Sequence, residues 1–70
     1  MYKYLLTQID NFEQVYTKTF KSRNAAMKKM EQILWHSDSQ VQDIVYHDKR
    51  KHLQEFICTN KALRFRIDRI

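Results

Sequence analysis

Apolar and polar positions alternate most regularly at the end of the chain, in "LRFRIDRI", where Leu63, Phe65 and Ile67 are interleaved with Arg64, Arg66 and Asp68. A period of two is the signature of a half-buried strand. The segments "VQDIVYH" (41–47) and "KHLQEFICT" (51–59) are likewise rich in β-branched and aromatic residues and are separated by short polar turns, "DKR" and "TNKA". Three C-terminal strands are therefore predicted. Near the start, "YKYLLTQI" and "VYTKTF" read as two more strands, the first with apolar residues on both faces. The break "DNFEQ" between them predicts a hairpin with a loop of about five residues.

Between these groups the period changes. Ala26, Met27, Met30, Ile33 and Leu34 recur at i, i+1, i+4, i+7 and i+8, and Ser22 stands where an N-cap is needed, so a helix is predicted over 23–35. Its apolar stripe should lie on a sheet, with Lys28 and Glu31 in water. Trp35 falls off that stripe and is expected to fold over the edge of the core, as large aromatics usually do. The order ββαβββ predicts a single α+β domain over 1–70, one helix packed on an antiparallel sheet.

Turn lengths then set which residues share a face. A two-residue loop at Lys49-Arg50 puts His47 opposite His52, Val45 opposite Gln54 and Asp43 opposite Phe56. A turn at Asn60-Lys61 puts Phe56 opposite Phe65 and Glu55 opposite Arg66. Together these place Val41, Val45, Phe56, Cys58, Leu63, Phe65 and Ile67 under the helix, and Ile44, Tyr46, Leu53, Ile57, Arg64 and Arg66 on the other side. A loop one residue longer or shorter would reverse the faces of the first strand of that pair.

Composition narrows the function. The chain has 70 residues, and one this short buries only about 60% of its unfolded surface, so good packing or a partner must supplement its core. It contains neither Gly nor Pro, so Asp10-Asn11, Ser37-Asp38-Ser39, Asp48-Lys49 and Asn60-Lys61 must make the turns. The lone Cys58 cannot form an internal disulfide, which points to a reducing, cytoplasmic setting. No segment approaches the roughly 20 apolar residues of a membrane helix, and "MYKYLLTQID" turns polar too early for a signal peptide. A membrane partner is not expected.

Catalytic chemistry finds little support. Without glycine there is no phosphate-cradling loop, Walker motif or dinucleotide fingerprint. The adjacent letters of "HSD" at 36–38 cannot converge as a hydrolase triad. His47 and His52 face each other in the expected hairpin, but a firmly held metal needs further ligands, and Cys58 lies about 20 Å from His52 along its strand. No metal, cofactor, small-molecule substrate or enzyme activity is expected.

The formal charge of +5 leaves two kinds of partner. Aliphatic Ile44, Leu53 and Ile57 with Tyr46, rimmed by Arg64 and Arg66, compose a protein-binding face, and self-association would relieve the small core. The leading expectation is a non-enzymatic interaction or regulatory module, a homodimer, of the small accessory type found in bacteria and phages. The alternative is a nucleic-acid-binding module using Lys49, Arg50, Lys51, Lys61, Arg64 and Arg66 with Tyr46 as a stacking platform.

Overall fold

The structure is a computed structural model describing residues 2–47 and 52–70. Five strands and one helix follow in the order β1 (Tyr4–Asp10), β2 (Glu13–Phe20), α1 (Arg23–His36), β3 (Val41–Tyr46), β4 (Leu53–Cys58) and β5 (Leu63–Arg69). The strands form a single sheet ordered β2-β1-β5-β4-β3, with every neighbouring pair antiparallel. The α+β fold is as expected, and the chain's two ends meet in its middle. Lys3 and Ile70 exchange backbone hydrogen bonds of 3.2 and 2.8 Å, extending the ladder between β1 and β5.

The helix starts and stops for local reasons. Ser22 has extended backbone and its hydroxyl accepts from the Ala25 N–H at 3.1 Å, satisfying one orphan donor. At the other end Asp38 adopts φ 51°, the N–H of Ser39 reaches Leu34 O at 3.1 Å and that of Asp38 reaches Trp35 O at 3.3 Å. That is a Schellman closure built on Asp instead of Gly. The helix lies over β1, β2 and β5, with Ala26, Met30 and Leu34 buried and Met27 and Ile33 partly so. Arg23 and Lys29 strap it down from its rim, stacking on Tyr4 and Tyr16 at 5.2 and 5.9 Å from the ring centroids.

Leu6, Phe56, Cys58, Leu63, Phe65 and Ile67 complete the core from the sheet. Met30 plugs this layer, so Met30→Ala should lower stability by about 2 to 5 kcal/mol. Lys28→Ala, on the exposed side, should be nearly neutral. Equal melting temperatures for the two variants would refute that placement of the helix.

Three expectations are corrected. The first hairpin has a two-residue loop, Asn11-Phe12, both at positive φ, so β2 begins at Glu13 and not after a five-residue break. The β3–β4 pairing is shifted by one residue: Ile44 faces Phe56, Val45 faces Glu55 and Tyr46 faces Gln54. The two-residue loop assumed at Lys49-Arg50 lies outside the described residues, but this pairing requires an odd number of residues between paired positions. The faces of that strand therefore exchange, with Val45 moving away from the helix and Ile44 and Tyr46 moving to its side. Finally, Trp35 does not fold over the core but is 83% exposed. The Schellman turn carries the chain away before anything covers that side of the last helical turn.

Candidate functional site: the helix-free face of the sheet

The pairings align the side opposite the helix in three rows across the strands. One runs Thr19, Leu5, Asp68, Leu53; the next Thr17, Thr7, Arg66, Glu55, Val45; the third Gln14, Ile9, Arg64, Ile57, Asp43. No helix covers these rows. Leu5, Ile9, Val45, Leu53 and Ile57 are only partly buried there. Of the six residues expected to form a binding face, the structure groups Leu53, Ile57, Arg64 and Arg66. Ile44 and Tyr46 lie on the helix side of edge strand β3, beyond the helix, at 38% and 49% exposure.

The centre of the face is Glu55, whose residue is only 5% exposed although its strand fronts solvent. His47 Nε2 lies 3.0 Å from one carboxylate oxygen, Arg66 Nε donates to the other at 3.2 Å, and Arg64 approaches at 3.9 Å. Burial alone pushes the Glu55 pKa up, but hydrogen bonds and charge from His47 and Arg66 outweigh it and hold the carboxyl below its ordinary 4.5. The arginines are thus oriented by a buried carboxylate while roughly half of each side chain remains exposed. His52 points to the other side, against Arg69, so the two histidines of the hairpin do not face one another.

Sequence reasoning missed Val45, Leu5 and Ile9 on this face. The signal for the latter two was present, since apolar residues on both faces of β1 fit a central strand, which β1 is.

Both edges of the sheet are irregular. Val15 is the unpaired residue of a bulge in β2, and Gln42 of one in β3. Bulges interrupt the flat ladder that another strand needs for edge pairing. The flat surface on offer is the face and not the rim.

For nucleic acid the arrangement is less suited. Arg64 and Arg66 share the open face, but Tyr46 is across the sheet from them, and none of the three rows contains a Phe, Tyr or Trp on which a base could stack. Lys61 is exposed in the β4–β5 turn, and Lys49, Arg50 and Lys51 lie outside the described residues. No helix among the described residues is long and apolar enough to cross a membrane. Scans against protein-family models, curated proteins and solved structures return no match.

Proposed function

We propose that the protein is a non-enzymatic interaction module that self-associates through the helix-free face of its sheet. The observation that carries this reading is the composition of the three rows: aliphatic residues surround charges of both signs. Asp43, Glu55 and Asp68 sit among Arg64, Arg66 and His47, so the face is nearly balanced although the chain carries +5. A second copy can meet such a face without the repulsion its net charge creates elsewhere, and a two-fold axis pairs arginines with carboxylates across the contact. A regulatory role, with a protein partner competing for the same face, accords with a chain that has little else to offer chemically. Buried Cys58, unpaired with any other thiol, suits a cytoplasmic setting.

Analytical ultracentrifugation tests this directly. The wild type should self-associate in the high micromolar range, and Ile57→Glu, still folded, should lose the face-to-face contact and sediment with a lower mass, because that contact would bury an unpaired charge. Ile57 is partly exposed in the single chain, so circular dichroism should stay native. Arg64→Gln with Arg66→Gln should weaken the dimer while costing at most about 1 kcal/mol of stability. A wild type that remains monomeric at those concentrations sinks the reading. A gel shift whose salt slope falls when the arginines are removed would transfer them to a nucleic-acid site.

A further inference from the structure

Phe12 contributes nothing visible to its own fold. It is 96% exposed at the tip of the β1–β2 hairpin and holds φ 67°, a region unfavourable to a bulky side chain. A two-residue loop with positive φ at both positions takes Gly most readily after Asn, and here Phe stands in that place. Backbone strain of this kind is typically kept at functional positions. The tip is held in place, since the Asn11 N–H donates to Ala62 O at 3.0 Å, joining it to the β4–β5 turn. Beside Phe12, Lys61 and Arg64 help line a hollow of about 260 Å³. The feature is an aromatic knob with basic residues on one side, while the exposed Asp10 and Glu13 flank its base on the helix side.

A matching recess lies where the helix ends. Leu34, Trp35 and Val41 give apolar walls to a cleft of about 470 Å³, with Glu31 and Asp38 at its margin. Glu31 and Trp35 are four residues apart, hence on one helix face, and the Schellman turn swings Asp38 beside them. Neither carboxylate has an ion-pair partner among the described residues, in a chain with thirteen Lys and Arg against eight Asp and Glu. The negative end of the helix dipole lies at the same place.

We infer that Phe12 of one molecule seats in the Trp35 cleft of a second copy, with Lys61 and Arg64 facing Glu31 and Asp38. Charge complementarity selects this occupant, because the Lys61 and Arg64 side of the knob and an acid-rimmed aromatic recess are both present on the same chain, and docking through that side keeps Asp10 and Glu13 away from the recess. The contact is intermolecular. The knob joins β2 to β1 while the cleft opens at the start of β3, three strand spacings from β1, or about 14 Å across the sheet. It shares Arg64 with the sheet face but centres on Phe12 and Trp35, which lie outside the three rows, and its two halves differ, so the contact is heterologous.

Trp35 is the chain's one tryptophan and therefore its own reporter. The test is made in an Ile57→Glu background, which removes the sheet-face contact. Two further variants are prepared in it: Phe12→Gly, which keeps the cleft and loses the knob, and Trp35→Ala, which keeps the knob and has no tryptophan. Both positions are exposed, so both variants should fold. Raising the concentration of the parent should shift Trp35 emission to the blue, and Phe12→Gly should weaken this response at least about tenfold, as expected for an aromatic anchor.

Titrating Trp35→Ala into Phe12→Gly should restore the shift, because the only tryptophan present is then covered by the other variant's Phe12. Titration with a chain lacking both side chains should not. At dilution, Phe12→Gly should also melt several degrees higher than its parent, Gly relieving the strained turn. Unchanged emission in the mixed titration, or a lower melting temperature for Phe12→Gly, overturns the proposal. An Ile57-dependent dimer without any Trp35 shift would overturn the knob alone and leave the sheet-face reading standing, while the converse result would do the reverse.

Discussion

Phe65→Ala is expected to leave most of the chain unfolded at 25 °C. Phe65 is fully buried in β5, the middle strand, where it faces Gln8 on one side and Phe56 on the other. Removing a buried phenyl ring costs about 3 to 5 kcal/mol. A chain of this length has only about 4 to 10 kcal/mol in total. Far-ultraviolet circular dichroism with urea titration should show a midpoint near zero denaturant, or no native baseline. A cooperative transition with a urea midpoint close to that of wild type would mean that the core is centred elsewhere. The contrast with Phe12 is instructive: the same side chain should be indispensable in β5 and harmful to stability at the hairpin tip.

That contrast also marks what could be read from sequence. The helix was legible because its apolar spacing and its Ser22 cap agree, and β5 because its alternation is unbroken. The β4–β5 register was legible through one turn, in which Asn60 supports the reversal by accepting from the Ala62 N–H. That turn also delivered Glu55 to Arg66 as expected. The N-terminal loop was hidden by Phe12, since a two-residue turn is recognised by its glycine and this one has none. The face of β3 depended on the parity of the loop before β4, which Asp48 to Lys51 do not specify, so Ile44 and Tyr46 were placed on the wrong side. At Trp35 the local stripe, which leaves it outside, outweighs the general preference of large aromatics for burial. The position of β1 beside β5 is a contact between the chain's ends, and no local pattern encodes it.

The second large effect is expected at Glu55, where a reversal of charge tests the open face. Lys at this position would set a cation in a site now 95% buried, beside Arg64, Arg66 and His47. Stability should fall by about 3 kcal/mol or more, the usual consequence of an uncompensated buried charge. Glu55→Gln should cost much less, because the amide keeps the shape and part of the hydrogen bonding, and Arg66 is half exposed. Acid titration separates charge from shape. The folded pKa of Glu55 is depressed, so its ionic contribution is fully present above its unfolded value, near 4.5, and is lost as pH falls through the lower folded value. Wild type should therefore lose its advantage over Glu55→Gln below pH 4.5, measured as converging urea midpoints. Combining Glu55→Lys with Arg66→Glu restores opposite charges in the same cross-strand pair and should recover part of the loss. If Glu55→Lys proves no costlier than Glu55→Gln, the new ammonium has reached water, and the carboxylate does not order the arginines. If it does prove costlier, Arg64 and Arg66 are held in place before any partner arrives, and less side-chain entropy remains to be lost when the face docks.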